Sequence, residues 1–133
     1  MVDDEPDFAT IVKGWLSPRY DFESVRNGEE FLQTLDKQDP DLLILDINMP
    51  GPDGFTVCHK IREKSRFAKL PIVFLTSRTD DRDFLRGWKM GGTRYLTKSI
   101  SRPKLLSVMR EIFSNLETKT STSSVNGSGN ARA

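Results

Sequence analysis

The chain has 133 residues, of which 36% are hydrophobic, with one cysteine and a formal net charge of +1 at pH 7. This length corresponds to one domain, and the balanced charge excludes the strongly basic composition typical of nucleic-acid-binding domains. The lone Cys58 excludes an intrachain disulfide and a cysteine-based zinc site. Because no apolar stretch reaches about 18 residues and no signal peptide is recognisable, we expect a cytoplasmic protein without membrane insertion.

Helix-like and strand-like segments alternate along the chain. Apolar residues spaced three and four apart predict a first helix ending near Ser17 and a second helix around Phe31 to Leu35. Between these helices, residues 20–25 predict a strand. The continuous apolar runs at 41–46 (DLLILD) and 71–76 (PIVFLT) are typical of strands buried on both faces of a parallel sheet.

The second half of the chain continues this alternation. We predict a third helix from Gly54, a fourth over Phe84, Leu85 and Trp88, a last strand at 95–97 and a fifth helix over 105–116. With a short strand before Asp3, the pattern predicts an α/β fold with a doubly wound parallel sheet of five strands and helices on both faces.

The composition changes near residue 117. Residues 118–133 are mostly Ser, Thr, Asn and Gly, with too few apolar side chains to offset the entropy of ordering. We therefore predict a folded domain over 1–117 and a flexible tail or linker over 118–133. Composition leaves open whether this segment is a tail or a tether to a further domain.

Polar residues follow the predicted strands. Asp3 and Asp4 come after the first strand, Asp46 ends the third, Thr76 the fourth and Lys98 the fifth, and ligands bind at this edge of an open parallel sheet. Clustered carboxylates repel unless a cation lies among them, and oxygen ligands supplemented by water suit Mg²⁺. Magnesium beside a hydroxyl and an ammonium forms a pocket for a phosphoryl group, with Asp46 placed as nucleophile.

Four short motifs occur in order at these strand ends. They are VDDEP at 2–6, LDINMP at 45–50 followed by Asp53-Gly54, FLTS at 74–77 and YLTK at 95–98. Together they resemble the signature of response-regulator receiver domains of two-component signalling, the family that includes chemotaxis regulators. The resemblance covers about residues 1–117 and implies a flavodoxin-like sheet with strand order 2-1-3-4-5.

The resemblance implies a role for each matching residue. Asp46 accepts a phosphoryl group from a histidine kinase or a histidine phosphotransfer protein. Mg²⁺ is held by Asp3, Asp4, the Asp46 carboxylate and the backbone carbonyl of Asn48. The chain is then not an enzyme with a separate substrate but a phosphoacceptor that assists its own phosphorylation and dephosphorylation.

The resemblance also implies how the phosphorylated state is relayed. Thr76 donates its hydroxyl to the phosphoryl group, Lys98 pairs with it, and Tyr95 rotates inward as a switch residue. The helix 4/strand 5/helix 5 surface then acts on a downstream effector protein or domain, with no direct role for nucleic acid. Homodimerisation is left open.

Two departures from the family pattern carry expectations. Only Met1 and Val2 precede the acid pair, and the loss of about three buried aliphatic side chains removes ~5 to 9 kcal/mol. We therefore expect either that residue 1 is a shortened or reassigned start or that other contacts compensate. Ser99 stands where the family has proline after a cis peptide, so we expect a trans bond, which leaves the reach of Lys98 toward the site open.

Two further functions remain open at this stage. The short first strand and Ser99 are compatible with a degenerate receiver that docks a partner without phosphorylation. A magnesium-dependent phosphohydrolase would also use an aspartyl phosphate, but hydrolases of the haloacid dehalogenase type carry a second Asp where this chain has Asn48. Structural roles are also open: Thr76 as a helix cap, Lys98 as a surface residue and Tyr95 as a half-buried aromatic.

Overall fold

The computed structural model of the protein describes residues 1–77, 89 and 91–123, with side chains described as far as residue 116. Helices and strands alternate along these residues, as predicted. The helices are α1 (Pro6–Leu16), α2 (Gly28–Gln38), α3 (Gly54–Arg62) and α4 (Arg102–Ser123), with a short 3-10 turn at Ser65–Phe67, and the strands are β1 (Leu43–Leu45), β2 (Ile72–Thr76) and β3 (Arg94–Thr97).

The label α4 belongs to the helix that the sequence predicts as the fifth. The predicted fourth helix, over Phe84, Leu85 and Trp88, lies outside the described residues. Helix α4 continues past residue 117 to Ser123, so the first six residues of the predicted tail extend this helix. In the part of the chain that the structure describes, no helix combines the length and apolarity that a membrane crossing requires.

The sheet is parallel, with β2 between β1 and β3. The apolar runs at 41–46 and 71–76 become β1 and β2 as predicted, each somewhat shorter than its run. The described residues form three strands, so the expected count of five and the order 2-1-3-4-5 are not observed.

The two missing strands are reduced to single contacts around Val2. Val2 forms isolated parallel bridges to Val25 on one side and to Leu45 on the other, and it is fully buried. The amide of Val2 donates to the carbonyl of Ile44 at 2.8 Å, and the amide of Asp46 donates to the carbonyl of Val2 at 3.0 Å. Among the described residues, the pairing is confined to these bridges and does not extend into a ladder.

Helices cover both faces of the sheet and form two apolar layers. One layer joins α2 and α3 to alternate strand residues, for example Leu35 and Phe55 against Phe74. The other joins α1 and α4 to the strand residues between them, for example Leu16 and Leu105. Strands buried on both faces explain why β1 and β2 read as continuous apolar runs. The fold class is therefore α/β with a parallel sheet, as predicted.

Local sequence signals fix where the helices begin. The side chain of Asn27 accepts a hydrogen bond from the amide of Glu30 at 2.8 Å and caps α2. The side chain of Asp53 accepts from the amide of Thr56 at 2.9 Å and caps α3. These bonds satisfy amides that have no partner within the helix. The cap at Asp53 sets the start of α3 directly after the loop that follows β1.

Arg62 ties the end of α3 to the segment before β3. Its guanidinium donates to the carbonyl of Gly91 at 2.6 and 3.1 Å and to the carbonyl of Phe67 at 3.0 Å. Gly91 has φ of +92°, and a Cβ there would lie 2.9 Å from Nε of Arg62. The positive φ therefore favours glycine at this position, whereas the flexible Arg62 side chain can shift to make room for a Cβ.

Candidate functional site

The carboxyl ends of the parallel strands bring the predicted polar residues together. Asp46 follows β1, Thr76 ends β2, and Lys98 follows β3. The amide of Lys98 donates to the carbonyl of Thr76 at 2.7 Å, so the ladder between β2 and β3 continues to the edge of the site. Asp3 lies beside Asp46 because Val2 bridges to Leu45.

Three carboxylates and one ammonium form the centre of the site. Oxygens of Asp3, Glu5 and Asp46 lie within 4.8 Å of one another. Nζ of Lys98 lies 2.9 Å from Oδ2 of Asp3 and 3.3 Å from Oδ2 of Asp46, and it also pairs with Glu5. The Lys98 side chain is only 12% exposed. Lys98 therefore places a buried positive charge among three carboxylates that would otherwise repel one another.

The backbone after β3 lets Lys98 reach this position without a cis peptide bond. The Lys98–Ser99 bond is trans, as predicted. The hydroxyls of Thr97 and Ser99 lie 2.8 Å apart and join the two residues that flank the lysine. The ring of Phe8 in α1 lies 4.9 Å from Nζ and covers the ammonium by a cation–π contact.

Burial and crowding change the acidity of these groups. Burial, and secondarily the charge of Asp3, raises the pKa of Asp46 from 3.8 to about 6, against the opposing pull of Lys98. Burial also raises the pKa of Asp3. Burial alone would lower the pKa of Lys98, but its hydrogen bonds to Glu5 and Asp3 raise the pKa overall. The site therefore favours a charged Lys98 ammonium, whereas Asp3 and Asp46 ionise less readily than free carboxyl groups.

The cluster contains one residue of the predicted acidic pair. Asp3 belongs to it, whereas the Asp4 carboxylate is not one of its three members. Glu5 is the third member, which the sequence analysis did not predict. The amide of Glu5 donates to Oδ1 of Asp3 at 2.8 Å across a bend at Asp4, and this turn joins the two acidic residues. The preference of Asp for such turns was the signal that pointed to this pair.

The other predicted residues surround the cluster. The backbone amide of Asn48 hydrogen-bonds to the Asp46 carboxylate, and the Asn48 residue is exposed. Thr76 is fully buried at the end of β2. The ring of Tyr95 lies 6.1 Å from the ring of Phe74, and its hydroxyl oxygen is buried. Tyr95 therefore points into the apolar layer beneath the site.

Gly54 allows α3 to begin directly against the backbone of Asp46. A Cβ on Gly54 would lie 2.2 Å from the carbonyl oxygen of Asp46 and 2.8 Å from Cα of Ile47. The amide of Gly54 donates to the carbonyl of Ile47 at 2.9 Å and closes the loop. Only glycine fits this contact, because the atoms in the way belong to the backbone.

Replacing Gly54 by alanine is expected to destabilise the protein by about 1 to 3 kcal/mol, because the added methyl group forces α3 away from Asp46. Urea denaturation measures the effect. Gly14→Ala is the matched control: Gly14 lies in α1, and a methyl group added there would meet nothing within 4 Å, so alanine is expected to stabilise by about 0.5 to 1 kcal/mol. Equal effects of the two substitutions would contradict the close contact at Gly54.

The donor set of the cluster fits a hard divalent cation. Its members are carboxylates alone, with two buried and one exposed, and water can complete the coordination. Lys98 contacts all three carboxylates and supplies positive charge at the same place. Asp3, Glu5 and Asp46 therefore form an acidic pocket that could bind a metal ion.

A family model described as "Response regulator receiver domain" matches residues 1–110 of the chain. Among curated proteins, the chain is 35% identical over 134 residues to response regulator Rre1 of Synechocystis sp., a match that covers 99% of this chain and 56% of Rre1. It is 34% identical over 113 residues to the transcriptional regulatory protein GltR of Pseudomonas aeruginosa, covering 84% of this chain and 47% of GltR. The chain thus spans about half the length of these relatives.

Solved structures give the same picture for the fold. The structure of the Vibrio cholerae chemotaxis protein CheY4 superposes with a TM-score of 0.78 at 30% identity, covering 83% of this chain and 92% of that one. The BeF3-activated N-terminal receiver domain of Klebsiella pneumoniae RstA superposes with a TM-score of 0.73 at 32% identity, covering 82% of this chain and 92% of that one.

Proposed function

This chain belongs to the response regulator receiver domain family, and from that premise we propose that Asp46 is the residue that accepts the phosphoryl group in a two-component signalling step. One observation carries the assignment. Asp46 is the buried carboxylate at the carboxyl end of β1, 3.3 Å from the Lys98 ammonium and beside Asp3 and Glu5. Of these three carboxylates, Asp46 is the one that directly follows a strand of the sheet, where ligands of parallel sheets bind.

The chemistry requires a charged nucleophile held among positive charges. A carboxylate oxygen of Asp46 attacks the phosphorus of a phosphohistidine, the bond from phosphorus to the imidazole nitrogen breaks, and the imidazole leaves with its electron pair. Mg²⁺, when bound, would neutralise charge on the phosphoryl oxygens. Lys98 already contacts Asp46 and is placed to transfer its hydrogen bond to the phosphoryl group.

The same residues suggest how the modified state is relayed. Thr76 lies at the end of the strand next to β1 and is bonded through its carbonyl to Lys98. Tyr95 follows on β3, with its hydroxyl buried, so a shift at the phosphoryl site reaches β3 through Thr76 and Lys98. We include in the proposal the predicted output surface formed by β3, α4 and the predicted fourth helix. Phosphorylation changes the populations of two conformational states of this surface only if the phosphoryl group interacts more favourably with one state than with the other.

The proposed partners follow from this role. They are a histidine kinase or histidine phosphotransfer protein as donor and a downstream effector protein or domain, in the cytoplasm. Asp4 and the backbone carbonyl of Asn48 stay in the proposal as further Mg²⁺ ligands. The docking-module alternative is not favoured, because the Lys98 ammonium lies 3.3 Å from the Asp46 carboxylate, where it would meet a phosphoryl group on Asp46.

Incubation with acetyl phosphate, with and without Mg²⁺, tests the assignment. Intact-mass measurement is expected to show one added phosphoryl group that depends on Mg²⁺ and disappears in Asp46→Asn. Asp36→Asn is the matched control, since Asp36 is an exposed carboxylate in surface ion pairs, and it is expected to label like the wild type. Labelling that persists in Asp46→Asn would move the acceptor elsewhere, and no labelling of the folded wild type would favour the docking module.

A further inference from the structure

Glu5 is the member of the acidic cluster that faces solvent. Its side chain is 60% exposed, whereas the side chains of Asp3 and Asp46 are 0% and 3% exposed. An oxygen of Glu5 nevertheless lies within 4.8 Å of an oxygen of Asp46. A phosphoryl donor that approaches the Asp46 carboxylate from solvent therefore comes close to the carboxylate of Glu5.

Contacts at the start of α1 hold Glu5 in this position. The amide of Glu5 donates to Oδ1 of Asp3 at 2.8 Å, which fixes the backbone just before the helix. The carboxylate of Glu5 makes no capping hydrogen bond to α1 and pairs with the ammonium of Lys98 instead. The ring of Phe8, three residues further along, lies 4.9 Å from the same ammonium. The start of α1 thus contacts Lys98 through two side chains, of which Glu5 carries the charge.

The charge of Glu5 acts on an incoming phosphoryl group in two ways. It repels the negatively charged phosphoryl oxygens, because like charges at this separation interact even in a solvated environment. It also competes for the ammonium of Lys98, which those oxygens need as a partner. The repulsion grows with the negative charge of the donor, whereas the competition for Lys98 is the same for every donor. The two effects can therefore be separated by comparing donors of different charge.

We propose that Glu5 selects among phosphoryl donors by their charge and disfavours those that carry more negative charge. This inference rests on the proposed function, since it concerns phosphoryl transfer to Asp46. At a separation of about 6 Å in a water-like environment, each negative charge of the donor changes the rate about threefold. Glu5 thereby favours a phosphohistidine, whose leaving group is an imidazole, over an acyl phosphate, whose leaving group departs as an anion.

Rates of labelling by two small donors test the inference. At pH 7.5 acetyl phosphate carries two negative charges and phosphoramidate carries one. With saturating Mg²⁺ and intact-mass detection, the relief of repulsion in Glu5→Gln is expected to accelerate labelling about tenfold with acetyl phosphate and about threefold with phosphoramidate. The ratio of the two rate constants therefore rises about threefold. High salt is expected to reduce this rise, because it screens exposed charges.

Two further variants separate the charge of Glu5 from a structural role. Glu5→Asp keeps the charge and is expected to keep a ratio near that of the wild type. Glu63→Gln removes the charge of a side chain that is 65% exposed, at the end of α3 far from Asp46, and is expected to leave both rates unchanged.

The outcomes distinguish a failure of this inference from a failure of the proposed function. An unchanged ratio in Glu5→Gln would overturn the inference while Asp46 remains the acceptor. Slower labelling of Glu5→Gln by both donors at saturating Mg²⁺ would also overturn it and would assign Glu5 to metal binding. Labelling of the wild type that persists in Asp46→Asn would overturn the proposed function and the inference with it.

Discussion

Replacing Lys98 by methionine is expected to lower the free energy of unfolding by about 3 to 5 kcal/mol at pH 7.5, because two buried carboxylates lose their cation. Methionine keeps much of the apolar stem, so the change isolates the charge. The loss is expected to shrink as the pH falls, since Asp3 and Asp46 become protonated and no longer need compensation. Urea denaturation at pH 7.5 and pH 5 measures both effects.

Lys64→Met is the matched control for Lys98→Met. Lys64 pairs with Asp36 at 3.7 Å, but both side chains are well exposed, at 43% and 66%. Its replacement is expected to change the free energy of unfolding by less than about 0.5 kcal/mol. Millimolar Mg²⁺ is expected to stabilise Lys98→Met more than the wild type, because the vacated position lies among the three carboxylates. Equal stabilities of Lys98→Met and Lys64→Met would show that Lys98 is not the compensating charge.

Asp46→Asn is expected to stabilise the protein at pH 7.5, although it removes the proposed acceptor. The pKa of Asp46 is raised from 3.8 to about 6, so the folded state holds the ionised form less readily than the unfolded chain does. The penalty is absent below pH 3.8, grows as the pH rises toward 6 and is complete above it. A shift of this size corresponds to about 3 kcal/mol at pH 7.5, which asparagine relieves.

Thermal unfolding across pH 4 to 8 distinguishes this effect from a general one. The stability curves of wild type and Asp46→Asn are expected to converge near pH 4 and to separate as the pH rises. Asp36→Asn, at an exposed position, is expected to follow the wild type throughout. A stabilisation by Asp46→Asn that does not vary with pH would contradict the raised pKa of Asp46.

Periodicity predicted the secondary structure wherever burial controls it. The continuous runs around Leu43–Leu45 and Ile72–Thr76 are apolar because both faces of those strands are covered, and this pattern identifies a central parallel strand directly. The predicted strand at 20–25 failed as a strand for a different reason. Its partner in the sheet is Met1–Val2, and pairing of a single residue gives a bridge rather than a ladder.

The part of the site that lies at the carboxyl ends of the strands was predictable from the sequence. Asp46, Thr76 and Lys98 converge because parallel strands end at one edge, which is a property of topology and not of side-chain detail. The position of Glu5 depends instead on the turn in which its amide bonds to the side chain of Asp3, and motif matching on adjacent acids overlooked it. The reach of Lys98 past Ser99 depends on the hydrogen bond of its amide to Thr76, a long-range contact that no local pattern encodes.

The chain is held by different kinds of contact before and after β3. At Gly91, before the strand, two hydrogen bonds from the guanidinium hold the backbone, while at Lys98, beyond the other end, the chain is held by charges that phosphorylation would redistribute. Between these two ends, β3 is paired with β2 along its whole length, from Arg94 opposite Val73 to Thr97 opposite Thr76. We therefore expect a displacement of Lys98 to act first on Thr76, whose carbonyl accepts from the Lys98 amide, and on Thr97 beside it.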